Sequence, residues 1–102
     1  MAHFFYKLLP PRASFAQDMT PDEAAVMGRH VAYWKDQMDR GLKVFALGPV
    51  ADPAGIFGIA VIEATDAATA QELGSNDPAI RQAEYGFRYE LHLMPRGVMH
   101  SS

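Results

Sequence analysis

The stretch from Thr20 to Gly41 constrains the fold most, because both ends of a helix can be recognised in it. Thr20 can accept hydrogen bonds from the first free amides, and Pro21 suits the first helical position. Glu23 follows Thr20 at the spacing that lets its side chain reach back to the cap. Gly41 can adopt the left-handed conformation that ends many helices. The sequence therefore predicts one long helix between these residues.

Four apolar residues of this predicted helix recur at helical spacing and predict an apolar stripe: Met27, Val31, Trp34 and Met38. His30 lies beside the stripe, one turn before Trp34. An imidazole titrates near neutral pH, so His30 is a candidate general acid or base at the rim of a buried face. The alternative is a half-buried histidine that is hydrogen-bonded to a backbone carbonyl.

Apolar patterning predicts four strands, over residues 3–9, 43–50, 56–64 and 84–94. A second helix is predicted from the cap at Thr65-Asp66 to about Leu73, with Gly74 as its stop. One short helical turn is predicted over 78–82. Gly48-Pro49 is expected to bend or end the second strand. Residues 12–19 are predicted to form a loop, and residues 95–102 a flexible tail.

The order strand, helix, strand, strand, helix, strand is the split βαβ pattern. It predicts a single α+β domain over residues 1–102, a ferredoxin-like sandwich whose antiparallel sheet carries two helices on one face. The first three strands have apolar residues on both faces. Because an apolar sheet face is rarely left in water, we expect a homodimer that stacks two sheet faces.

Composition excludes several classes of protein. The net charge is −3, and no run of Lys or Arg forms a nucleic-acid footprint. No apolar run approaches the roughly 20 residues that span a bilayer, and the N-terminus turns polar too soon for a signal peptide. The absence of cysteine excludes disulfides and thiolate chemistry and fits a cytoplasmic protein.

Cofactor chemistry has little support in the sequence. No tight cluster of zinc ligands and no glycine-rich phosphate loop occurs. One helical histidine without a further motif is weak support for haem. We therefore expect no metal and no cofactor.

Three local patterns occur together in this chain: residues 28–34 on the long helix, residues 47–50 at a strand end, and residues 76–79 around an Asp-Pro pair. Their order and spacing resemble the YciI-like (YCII-related) family, and the resemblance runs from about Phe4 to Leu93. It implies a dimeric α/β barrel of ferredoxin-like subunits with a His and Asp pair as a proposed active site. That pair would be His30 and Asp77 here. The architecture is shared by a dehydrochlorinase and by muconolactone isomerases.

Asp77 has two alternative roles. It can cap a short helix that begins at Pro78, because Asp before Pro is a common helix start. It can also orient the imidazole of His30 and stabilise its charged form, as the resemblance implies. Both roles are compatible only if one carboxylate oxygen faces each partner.

Three further residues are candidates for substrate binding. Arg29 and Tyr33 flank His30 on the helix, and Asp52 lies in the loop after Gly48-Pro49. Packing is the alternative role for Tyr33, and a turn is the alternative for Asp52.

Two functional hypotheses follow. The first is a small-molecule enzyme that uses His30 and Asp77 as an acid–base pair, of the isomerase or lyase (elimination) type, on a small cyclic organic substrate. The second is a non-catalytic ligand-binding or assembly module of the dimeric α/β barrel type.

Overall fold

A computed structural model describes residues 1–98 of the chain. Its centre is a four-stranded antiparallel sheet with strand order β2-β3-β1-β4. The strands are β1 (Ala2–Leu9), β2 (Val44–Val50), β3 (Phe57–Ala64) and β4 (Arg88–Met94). This topology, with helices against the sheet, confirms the predicted ferredoxin-like α+β fold.

The helices are α1 (Phe15–Asp18), α2 (Pro21–Asp39), α3 (Ala67–Ser75) and α4 (Pro78–Arg81), followed by a 3₁₀ turn over Ala83–Tyr85. The prediction that residues 12–19 form only a loop is wrong, because Phe15 is 4% exposed and anchors a helical turn against the core. No helix within residues 1–98 has the length and apolar character needed to cross a bilayer. Part of the predicted flexible tail, residues 99–102, lies outside the described residues.

The long helix begins as the sequence predicts. Thr20 Oγ1 accepts from the Glu23 amide at 3.1 Å, and Glu23 Oε1 accepts from the Thr20 amide at 2.9 Å. This reciprocal pair is a capping box, and it satisfies two of the amides that a helix start leaves free. Gly41 follows the helix with a φ of 104°, in the left-handed region.

The predicted apolar stripe of α2 is confirmed except at Val31. Trp34 is buried, and Met27 and Met38 are half-buried. The buried residues of the helix are Glu23, Val26 and Trp34, whereas Val31 is 41% exposed. The Trp34 indole packs against Tyr6 of the sheet, with ring centroids 5.2 Å apart. Val31 is exposed because it borders a cavity instead of the core.

The prediction that Gly74 stops the second helix is also wrong. Helix α3 continues through Gly74 to Ser75, and Gly74 is buried. A Cβ at this position would lie 2.7 Å from Tyr89 Cε2 and 3.1 Å from Tyr6 Cε1. Gly74 therefore allows two sheet tyrosines to approach the backbone of α3 closely.

The start of the last strand and the expected break in the second strand differ from the prediction. Strand β4 begins at Arg88 rather than Glu84, because Gly86 has a φ of 78° and ends the 3₁₀ turn before it. Strand β2 continues through Gly48-Pro49 to Val50, and its irregularity lies near Val44 instead. A proline is tolerated there because β2 is an edge strand.

The helices pack on one face of the sheet and not on the other. Phe4, Tyr6 and Leu8 alternate along β1 and are buried in the core under the helices. On the opposite face Phe5 pairs with Val61 of β3, and both are only half-buried in the single chain. This second face is mixed, because Lys7 and Glu90 lie on it beside the apolar pair, and no helix within residues 1–98 covers it.

Candidate active site

His30 of α2 and Asp77 at the start of α4 lie in direct contact. Nδ1 of His30 is 2.6 Å from Oδ2 of Asp77. The Asp77 side chain is fully buried, and that of His30 is 12% exposed. The structure therefore brings together the two residues that the sequence identified as a candidate pair.

Asp77 also caps α4, with its other oxygen. Oδ1 accepts from the Ala79 amide at 3.0 Å, and Pro78 occupies the first position of the helix. Capping fixes the rotamer of the carboxylate, so that Oδ2 is directed at His30. The two roles that were alternatives in the sequence are divided between the two oxygens.

Oδ2 of Asp77 has two further donors that sequence reasoning missed. The Tyr6 hydroxyl donates to it at 3.0 Å, and the Trp34 indole N–H donates at 2.9 Å. A signal for Tyr6 existed, because a tyrosine on an otherwise apolar strand face needs a buried hydrogen-bond partner. Nothing in the sequence indicates which carboxylate serves as that partner.

The buried carboxylate perturbs the two nearest tyrosines. Burial, and then the charge and hydrogen bond of Asp77, raise the pKa of Tyr6 far above its usual range. Partial burial, followed by the charges of Asp77 and Glu72, raises the pKa of Tyr33 to about 12. Both hydroxyls therefore stay protonated at neutral pH and act as hydrogen-bond donors.

The hydrogen-bond network assigns the tautomer of a neutral His30. The Trp34 indole can only donate, so Oδ2 of Asp77 acts as an acceptor. An acceptor-only carboxylate requires the proton of the imidazole to lie on Nδ1. Within residues 1–98 only Nδ1 of His30 is hydrogen-bonded, and the lone pair of Nε2 is left for a ligand.

A cavity of about 460 Å³ lies against His30. Its volume falls within the range of small-molecule sites, roughly 300–1,000 Å³. His30 and Lys35 are the two lining residues with polar side chains, and the rest of the lining is apolar or glycine. The lining residues are Leu8, Pro10, Phe15, Ala16, Met19, Met27, His30, Val31, Lys35, Leu47, Gly48, Pro49, Ile56, Phe57, Gly58, Ile59 and Phe87.

A family model described as the YCII-related domain matches residues 10–93, which include both His30 and Asp77. The chain belongs to this family. The match confirms the resemblance drawn from the three local patterns, and the fold agrees with it. No curated protein matches the chain.

One wall of the cavity in this YCII-related domain is held by Arg12. Its guanidinium donates to both oxygens of Glu23, at 2.8 and 2.7 Å, and its Nε donates to Asp18 at 2.7 Å. These bonds tie helix α1 to the start of α2 and hold Phe15 at the cavity. The hydrogen bonds from Arg12 lower the pKa of Glu23 from 4.5 to about 2.

The three predicted substrate-binding residues do not line this cavity. Arg29 donates to Gln82 at 2.7 Å, and the Tyr33 hydroxyl donates to the Leu73 carbonyl at 2.7 Å. Asp52 accepts from the Ala54 amide at 2.8 Å within its own turn and borders a separate surface groove. Each therefore has a partner within the fold, away from the cavity described above.

Across residues 1–98, no three His, Asp or Glu side chains come together in a way that would hold a metal ion. The expectations of no metal and no cofactor remain predictions.

Proposed function

We propose that this YCII-related domain is an enzyme in which His30 acts as general base and then as general acid on a small organic substrate. The observation that carries the proposal is the 2.6 Å contact between His30 Nδ1 and a fully buried Asp77, on a ring that also lines the cavity. Asp77 holds the ring in position and stabilises the imidazolium that forms when Nε2 takes a proton.

The apolar cavity suits removal of a proton from carbon beside a carbonyl or hydroxyl group. His30 Nε2 takes the proton from the substrate carbon. The electron pair of the broken C–H bond then forms a double bond between that carbon and its neighbour. Return of the proton at another atom completes an isomerisation, whereas departure of a leaving group with its electron pair completes an elimination. A small cyclic substrate matches the size of the cavity, and the apolar lining favours an apolar substrate body next to the base.

Exchange of substrate hydrogen for solvent deuterium tests this proposal. A panel of small cyclic ketones, lactones and acids is incubated with the protein in deuterium oxide and followed by proton NMR. We expect the wild-type protein to exchange or eliminate at least one compound, and His30→Gln to slow that reaction by about 10²- to 10⁴-fold. The control is His92→Gln on β4, an exposed histidine that should leave the rate unchanged. A reaction that survives His30→Gln at full rate would refute the role of His30.

A non-catalytic ligand-binding or assembly module is the alternative, and one observation favours it. Asp77 also accepts from Tyr6 and Trp34, so the carboxylate joins the sheet to α2 whatever His30 does. In this case His30 is one more donor to a structural carboxylate. His30→Gln would then lower the thermal midpoint, and no compound in the panel would react with the wild-type protein.

The uncovered sheet face supports a second part of the proposal, a homodimer through the sheets. Phe5 and Val61 face outward next to each other on the two central strands, on a face that also carries Lys7 and Glu90, and burial of this apolar pair against a second copy stabilises a dimer. Sedimentation equilibrium of the wild-type protein should give a dimer, and Val61→Glu should give a folded monomer. A wild-type monomer at high concentration would contradict this assembly. The cytoplasmic location stays a prediction.

A further inference from the structure

The two polar side chains that line the cavity, His30 and Lys35, both come from α2. Met27, His30, Val31 and Lys35 all line the cavity and stand at positions i, i+3, i+4 and i+8. Lys35 follows His30 by five residues, which places the two backbone positions about 7.5 Å apart along the helix axis. A ligand in the cavity therefore meets a histidine at one point and an ammonium group at another.

Lys35 has no intramolecular partner among residues 1–98. The ion pairs in this part of the chain involve other side chains, and no hydrogen bond from Lys35 is present. No carboxylate is among the lining residues of the cavity. The charge of Lys35 is therefore free to interact with a ligand, and because Lys35 is exposed, solvent keeps that interaction modest.

We infer that the ligand of this cavity is a monoanion with an apolar body, and that Lys35 is the residue that selects its carboxylate. This inference rests on the proposed function, in which the same ligand presents its acidic C–H bond to His30. One flexible ammonium, with no second cation in the lining, suits a carboxylate better than a phosphate. The apolar body fills the space between Phe15, Met27 and Leu47.

A matched pair of probes tests the inference by calorimetry, without any need for turnover. Hydrocinnamate has an apolar body and a carboxylate, and hydrocinnamamide has the same body without the charge. We expect the wild-type protein to bind the acid about fivefold more tightly than the amide, and the preference to weaken in high salt. Lys35→Met should bind both probes equally, with the amide affinity unchanged, and Lys35→Arg should keep the preference.

Lys43→Met is the matched control, because Lys43 is exposed and is not a lining residue. It should bind both probes as the wild-type protein does. The inference is overturned if Lys35→Met keeps the preference for the acid, if the wild-type protein shows no preference, or if neither probe binds. A preference that persists in Lys35→Met but disappears in His30→Gln would place the carboxylate on the imidazole instead. The deuterium experiment judges the proposed function separately, because its panel includes uncharged ketones and lactones.

Discussion

The hydroxyl of Tyr6 donates a hydrogen bond of 3.0 Å to Asp77, a residue 71 positions later in the chain. Both side chains are buried, at 1% and 0% exposure. Tyr6 of β1 thus fixes the position of the Asp77 carboxylate, which in turn is hydrogen-bonded to His30. Stability of the sheet and geometry of the candidate site depend on the same contact.

Tyr6→Phe removes one donor from the buried carboxylate and keeps the ring. We expect it to lower the free energy of unfolding by about 1–3 kcal/mol, because a hydrogen bond to a charged group is lost where water cannot replace it. Urea unfolding measures the change. Tyr89→Phe is the control, since its hydroxyl makes only exposed contacts with Ser75 and Gln71 and should cost less than about 0.5 kcal/mol. Equal costs for the two variants would contradict the role assigned to Tyr6.

Asp77→Asn tests whether the carboxylate is needed for its charge and for both oxygens. The two carboxylate oxygens of Asp77 together accept hydrogen bonds from four donors. An asparagine amide has only one oxygen, so its N–H₂ group would face some of these donors and could not accept from them. We expect a loss of about 2–4 kcal/mol in unfolding free energy. Asp66→Asn is the matched control, because Asp66 caps α3 through one exposed bond and asparagine caps equally well. Similar losses in both variants would show that Asp77 is only a cap.

Two glycines of the helices are expected to respond to alanine in opposite ways. Gly74→Ala places a Cβ 2.7 Å from the ring of Tyr89, so we expect destabilisation by about 1–3 kcal/mol. Gly28→Ala meets no atom within 4 Å in the exposed middle of α2. It should stabilise the protein by about 0.5–1 kcal/mol through helix propensity. Thermal melts of both variants measure the effects, and a stabilising Gly74→Ala would refute the close packing of α3 on the sheet.

The start of the long helix is predictable because it depends on residues close together in the sequence. The packing of the helix on the sheet depends on contacts between distant residues and is less predictable. Thr20, Pro21 and Glu23 interact within a few residues, so their spacing in the sequence was sufficient to predict the cap. The orientation of the same helix depends on Trp34 and Tyr6, which meet only in the folded chain. Helical spacing predicts the burial of Trp34 correctly, but it does not predict that Val31 borders a cavity and is exposed there.

The candidate site likewise contains residues that the sequence identified and residues that it did not. His30 and Asp77 were found through the family pattern, and their contact in the structure agrees with that pairing. Lys35 carries no local signal that separates it from any surface lysine, so it was not found. Gly74 was interpreted as a helix stop because glycine often ends helices, and the tyrosines that require it are distant in sequence.

Acid should weaken the contact between α1 and α2. The pKa of Glu23 is lowered to about 2 in the folded protein by Arg12. The unfolded chain therefore binds a proton at this carboxyl at higher pH than the folded protein does, so stability rises with pH across this range. The contribution of Glu23 is complete above its ordinary value of 4.5 and is lost as the pH falls towards about 2.

Urea unfolding of Glu23→Gln across this pH range measures that contribution. We expect the variant to be less stable than the wild-type protein at neutral pH and to lose less stability on acidification. Asp22→Asn, an exposed neighbour in the same turn, is the control and should follow the wild-type pH dependence. Identical pH dependence in Glu23→Gln and the wild-type protein would contradict the ion pair with Arg12.

Long-range proton–nitrogen NMR correlations of His30 test most directly whether the ring presents an unprotonated Nε2 to the cavity. In the neutral ring we predict a proton on Nδ1, held by Asp77, and a lone pair on Nε2 whose signal shifts when hydrocinnamate binds. His92, which is exposed on β4, provides the internal reference. A His30 ring with its proton on Nε2, and no response to any ligand in the cavity, would contradict a general base at this position.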